Sequence, residues 1–136
     1  MTDRLTRGVH HVGLTVPDLD QARAFFCGVL GFDPVGGIAD YPSLFVSDGA
    51  ILLTLWRAAD PLTARAFDRR ANIGLHHLSL AVADDAALEK AWDKVSKHPE
   101  VVVDHAPGPI RPGSTTRHFL VFIPGGIRLE FATPFA

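Results

Sequence analysis

The chain is poor in sulfur and in surplus charge, and it has no long apolar run. Its one cysteine, Cys27, rules out an intrachain disulfide. The thiol falls within AFFCGVL, where no local motif activates it, so Cys27 reads as a small core residue and not as a nucleophile. Thirteen Lys and Arg against 15 Asp and Glu leave a formal charge of −2, which offers no basic field to a nucleic-acid backbone. No stretch approaches the roughly 18 unbroken apolar residues of a membrane span. The first residues, MTDRLTRGVHHVG, carry no apolar core behind their charges. The expectation is a cytoplasmic protein with neither a nucleic-acid nor a membrane partner. Hydrophobic residues at 47% and charged ones at 21% are the balance of an ordinary folded domain, which excludes disorder. A length of 136 residues suits a single domain over 1–136, or two small modules with one shared core.

What is present is an internal repeat. GVHHVGLTVPD, from Gly8 to Asp18, matches GLHHLSLAVAD, from Gly74 to Asp84, with Gly8/Gly74, His10/His76, His11/His77, Leu14/Leu80, Val16/Val82 and Asp18/Asp84 identical. A unit of this size cannot bury its apolar face alone, so two copies are expected to pack together. Each copy begins with alternating β-branched residues and leucine from Val9 to Val16 or its equivalent, a strand pattern. Asp18, with Gln21 three residues on, predicts a capped helix whose Leu19, Ala22, Phe26 and Val29 share one face and which Gly31 ends. Asp84 or Asp85 caps the second helix, with Leu88, Ala91, Trp92 and Val95 as its stripe and Pro99 as its stop. Three strands follow each helix, at about 33–38, 43–47 and 50–56, then 101–105, 115–123 and 127–132. Asp48-Gly49 and Gly125-Gly126 supply the tight hairpins. The result is an α+β chain of two βαβββ modules, about 8–56 and 74–133, joined by a linker over 57–73 in which PLTARAFDRR is open to forming a short helix.

Strand alternation collects the polar candidates. His11 shares a face with Val9, Gly13 and Thr15, His77 with Ser79 and Ala81, and Glu130 with Arg128 and Ala132, while Val12, Leu14, Val16, Leu78, Leu80, Val82, Ile127, Leu129 and Phe131 take the opposite faces. Two imidazoles and a carboxylate with exchangeable positions left over are what a catalytic divalent-metal site needs. The alternative, that His11 and His77 are structural and Glu130 a surface carboxylate, stands beside it. His10 and His76 fall on the apolar side and read as packing histidines. His98 at a helix end complements the dipole, and His105 at a loop edge has no assigned role. His118 reads either as a donor or acid/base behind the site, if its strand alternates as His118, Leu120, Phe122, or as a surface residue.

HHVGLTVPDLDQARAFFCGVLGF, HHLSLAVAD and PGGIRLEF together resemble the vicinal oxygen chelate superfamily, the glyoxalase, bleomycin-resistance and extradiol-dioxygenase type, over essentially the whole chain. The resemblance implies two βαβββ modules curled into a half-open barrel around one divalent ion (Fe, Mn, Ni, Co or Zn), often in a homodimer whose subunits complete each other's sites. It assigns His11, His77 and Glu130 as the metal ligands. Aligning DGAILLTL with PGGIRLEF places Thr54 at the family's fourth ligand position, where glyoxalase I carries a carboxylate. Fosfomycin thiol-transferases and extradiol dioxygenases carry a tyrosine ten residues before the ligand glutamate, and here Leu120 occupies that place. Leu52, Thr54, Trp56, Leu120 and Phe122, with Phe119 as the alternative to Phe122, are the candidate walls of a substrate cavity. Arg57, Arg65, Arg69 and Arg70 belong either to a solvated surface or to an anionic substrate. The functional expectation is a metal-dependent enzyme acting by Lewis-acid catalysis on a small oxygen-chelating molecule, with His118 carrying protons. Its rival is a metal-free protein that sequesters a small molecule.

Overall fold

The computed structural model describes residues 2–135 and divides the chain into two compact units, Met1–Leu62 and Thr63–Ala136. In the first unit, β1 (Val12–Val16) leads into α1 (Leu19–Arg23), which widens into a π-helix over Ala24–Val29. β2 (Asp33–Gly36), β3 (Ser43–Ser47) and β4 (Leu52–Arg57) follow, and the sheet runs β1-β4-β3-β2. The second unit repeats the plan with β5 (Leu78–Ala81), α2 (Asp85–Val95), β6 (Val102–Pro109), β7 (Arg117–Ile123) and β8 (Ile127–Ala132), in the order β5-β8-β7-β6. In each sheet the first strand runs parallel to the last, and the other pairs are antiparallel. Neither sheet closes on itself. The chain is thus α+β, built from two βαβββ units.

The expected caps form. Asp18 accepts from the Gln21 amide and Asp84 from the Ala87 amide, each at 2.8 Å, satisfying donors that a helix start leaves open. The first helix departs from the predicted single stripe because its second half bonds five residues back, Leu30 N–H to Phe25 C=O. That wider turn carries both Phe25 and Phe26 into the core. The second helix ends at Ser96, whose hydroxyl donates to Trp92 C=O, ahead of the predicted stop at Pro99. Gly125 and Gly126 both take positive φ at the β7–β8 turn, as the hairpin reading requires.

Three further expectations change. β1 and β5 start at Val12 and Leu78, after the histidines and not at Val9 and its equivalent. Val12 pairs with Leu53, so residues 9 and 10 would need partners at 50 and 51, where the hairpin has already turned away. The linker holds turns in place of the helix open to it. Asp60 and Asp68 accept from the amides of Leu62 and Arg70, and such local side-chain bonds compete with helical ones. β6 continues to Pro109, which brings His105 into a strand opposite Leu120.

Each sheet has one apolar face under its helix. Leu14, Val16, Val46, Leu53 and Leu55 are buried with Ala22, Phe25 and Phe26 in the first unit, and Leu80, Val121, Leu129 and Phe131 with Leu88 and Val95 in the second. Phe119 belongs to this second core, stacked on Phe131 at 4.6 Å with Trp92 at its edge. Alternation sends Phe122 to the opposite, open face. Among the described residues no helix is long and apolar enough to cross a membrane.

Candidate functional site

The open face of the second sheet carries the chemistry. Glu130 on β8 stands opposite Leu120 on β7 and Ser79 on β5, with His118 and Phe122 flanking Leu120. Glu130 is only 8% exposed, and a carboxylate that deep needs partners. It has them on both oxygens. Oε2 lies 2.6 Å from Nδ1 of His118, and Oε1 lies 3.8 Å from Nε2 of His77. Burial pushes the carboxyl pKa up, but hydrogen bonds from His118 and Ser79 and the charges of His118 and His77 outweigh it and hold Glu130 below the usual carboxylate range. Glu130 is therefore an anion at neutral pH.

The spacing between Oε1 and the His77 Nε2 is too long for a hydrogen bond. Two donors each about 2.1 Å from one ion would stand about 3.4 Å apart at a tetrahedral angle, a few tenths closer than observed. The pair therefore fits a cation between imidazole and carboxylate in donor chemistry and nearly in spacing. His11 lies in the other unit, one residue ahead of β1. Among the described residues no group of three or more His, Cys, Asp or Glu is gathered to hold a metal ion. His77, Glu130 and His118 lie together in the second unit, whereas His11 belongs to the first.

His10 and His76 are exposed and do not pack against the helices. With the strands starting later, neither residue occupies an inward strand position. Each turns to its neighbour instead: Nδ1 of His10 lies 2.9 Å from Nδ1 of His11, and Nδ1 of His76 lies 2.8 Å from Nδ1 of His77. Burial, then the charges of His77, Arg128 and Arg69, push the His76 pKa below its ordinary value.

Two arginines border Glu130. Arg128, two residues along β8, reaches across β7 to Asp104 on β6, with Nε at 2.9 Å and a terminal nitrogen at 2.8 Å from Oδ2. Arg69 lies over the Phe122 ring, 5.7 Å from its centroid. The strap that carries Arg69 is fixed: Phe67 donates to Gly125 C=O at 3.0 Å, and Asp68 and Asn72 close a turn around it. Of the four linker arginines, Arg57, Arg65 and Arg70 are exposed, whereas Arg69 is half-buried. No motif signalled that distinction, because it depends on the strap crossing the β7–β8 hairpin.

In the first unit, Thr54 and Trp56 share the open face with Gly13, which pairs with Thr54. Trp56 Nε1 donates to the Thr54 hydroxyl at 2.9 Å. A Cβ on Gly13 would come within 3.2 Å of that hydroxyl, so glycine leaves the two side chains their room. Phe45 and Tyr41 flank Trp56 at 5.7 and 4.9 Å, and Leu52 is half-buried at the head of β4. Cys27 lies half-buried in the π-helix, its thiol pushed up by burial.

The chain is thus a duplicated βαβββ unit with histidines ahead of each first strand and a buried glutamate on the last. The chain belongs to the Glyoxalase/Bleomycin resistance protein/Dioxygenase superfamily, whose profile matches residues 8–131. It is 34% identical to a 2-epi-5-epi-valiolone epimerase of Actinomyces sp., over 90% of this chain and 76% of that protein. It is 35% identical to catechol-2,3-dioxygenase of Bacillus subtilis (strain 168), over 66% of this chain, and spans only 31% of that longer enzyme. The fold is shared with a glyoxylase/bleomycin resistance protein/dioxygenase domain from Frankia sp. EAN1pec, at a TM-score of 0.79 and 23% identity, covering 94% of this chain and 98% of the other.

Proposed function

We propose that the chain is a divalent-metal-dependent enzyme acting on a small organic molecule whose neighbouring oxygens chelate the ion. His11, His77 and Glu130 would hold it, in a site completed within a homodimer or within one chain. Fe, Mn, Ni, Co or Zn each suit such nitrogen and oxygen donors. When bound, the ion supplies Lewis-acid stabilisation of negative charge on a substrate oxygen.

The divided use of Glu130 carries this reading, with one oxygen toward Nε2 of His77 and the other bonded to His118. Its carboxylate fixes the His118 ring through Nδ1, leaving Nε2 to take or return a proton. A histidine held this way suits proton transfer beside a carbonyl better than ring cleavage, and the likeness to an epimerase over 90% of the chain agrees. Leu120 and Phe122, beside Glu130 on the open face of the second unit, would contact the substrate, and Leu52, Thr54 and Trp56 are the candidate substrate contacts of the first unit. Arg69 on Phe122, in the row of Arg128 and about 7 Å along the strand from Glu130, favours a substrate with an anionic group at that distance from its chelating oxygens.

Metal analysis of protein purified without added metal tests the reading. The expected result is about one ion per chain, lost in Glu130→Ala while circular dichroism shows an unchanged fold. Metal-free wild-type protein, or unchanged metal in the variant, would refute it. A second reading, sequestration of a flat molecule without turnover, draws support from Tyr41, Phe45 and Trp56, an aromatic cluster whose Tyr41 is exposed. Metal-free protein that binds a flat aromatic probe with quenching of Trp56 would favour it.

A further inference from the structure

Four histidines form two pairs built alike, one in each unit. The Nδ1 atoms meet at 2.9 and 2.8 Å, and the rings meet edge to face with centroids 5.1 and 5.0 Å apart. An imidazole nitrogen with a proton donates and one without accepts. Two facing Nδ1 atoms at hydrogen-bond distance therefore share one proton, one ring supplying the N–H and the other the lone pair. A bond so placed orients both rings and couples their tautomers.

We infer that His10 and His76 are positioning residues whose Nδ1 atoms accept the Nδ1–H of His11 and His77, so that each of those rings presents an unprotonated Nε2 to a metal ion. The inference rests on the ligand set proposed above and adds two residues to it. Its support is directional. His77 faces its neighbour with Nδ1 and Glu130 with Nε2, so the two nitrogens already divide between an orienting partner and the site. A ring that coordinates through Nε2 must carry its proton on Nδ1, and that proton needs an acceptor. His76 is the acceptor in reach, and His10 takes the same place beside His11. Carboxylates and backbone carbonyls fill this role in many metal sites. An imidazole lone pair fills it here.

The geometry also gives a reason for two histidines side by side in each copy although the first is exposed. Adjacent residues in regular extended chain point to opposite faces. Here both pairs precede their strands, where the backbone is not held to that alternation, and the rings of neighbours can turn to each other.

The test compares an acceptor with its apolar mimic. Asparagine can place Oδ1 where histidine places Nδ1, whereas leucine places a methyl group there. Co(II) affinity is measured by chelator competition for the wild type, His76→Asn, His76→Leu, His10→Asn and His10→Leu. Both leucine variants are expected to bind about 10- to 100-fold more weakly, with the asparagine variants within about threefold of wild type. In the Zn(II)-loaded wild type, ¹⁵N imidazole spectra are expected to place the proton of His76 on Nε2 and that of His77 on Nδ1. Leucine variants that match the wild type, or a His76 proton found on Nδ1, would overturn the inference and leave the ligand set standing. Wild-type protein that takes up no Co(II) would bring down both.

Discussion

Replacing Asp104 by alanine is expected to cost about 2 kcal/mol and to loosen the face that carries Glu130. Arg128 on β8 and Asp104 on β6 are separated by β7. Their ion pair therefore crosses two strand spacings, about 9–10 Å, and ties the edge strand over the sheet. Arg128 is 9% exposed and Asp104 19%. Breaking a buried pair costs about 3–5 kcal/mol because a charge is left unpaired. Water at the one-fifth exposed carboxylate lowers this toward the value of a charge-assisted hydrogen bond, about 1.5–3 kcal/mol. Burial raises the Asp104 pKa, but the hydrogen bond and charge of Arg128 override it and leave the pKa below the ordinary value. A depressed carboxylate pKa stabilises fully above the unfolded-state value of about 3.9 and loses that contribution as pH falls through the folded value. Urea unfolding at neutral pH is expected to show the full difference between wild type and Asp104→Ala, which should shrink below about pH 4. Asp104→Ala combined with Arg128→Leu should cost less than the sum of the single changes. A single-variant loss under about 0.5 kcal/mol, or strict additivity, would refute the strut.

Gly126→Ala should destabilise more than Gly49→Ala. Both glycines have positive φ, but a Cβ at Gly126 would come within 2.6 Å of the Phe67 carbonyl oxygen while Gly49 faces open space. Gly49→Ala is expected to cost about 1–2 kcal/mol and Gly126→Ala more, read by thermal unfolding; equal losses would show that the strap does not hold Phe67 against the hairpin. Arg69→Ala should weaken binding of a carboxylate-bearing catechol about tenfold, one charge-assisted hydrogen bond's worth, and leave unsubstituted catechol unchanged in calorimetry. Equal effects on both would remove Arg69 from substrate recognition.

The architecture was legible because the repeat, the two aspartate caps and the glycine hairpins are local signals that the fold obeys. Alternation along β7 and β8 offered Glu130 and His118 a common face but left His118 open between that face and the surface, and their 2.6 Å contact appears only in the folded chain. Other features depend on partners distant in sequence. The late start of β1 follows from where β4 begins, and that displacement turned His10 and His76 from expected packing residues into partners of His11 and His77. The π-helix is a hydrogen-bond choice that the pattern of apolar residues does not encode. Arg69 could be told from its neighbours only once the strap over Gly126 was seen.

The central claim is one cation held by His11, His77 and Glu130, and a crystal structure of Co(II)-loaded protein recorded at the cobalt absorption edge tests it most directly. The expected result is an anomalous peak bonded to Nε2 of His77 and Oε1 of Glu130, with an imidazole nitrogen of His11 from the same or a second copy as third ligand. A peak elsewhere, or Glu130 and His77 in place with no peak beside them, would contradict it.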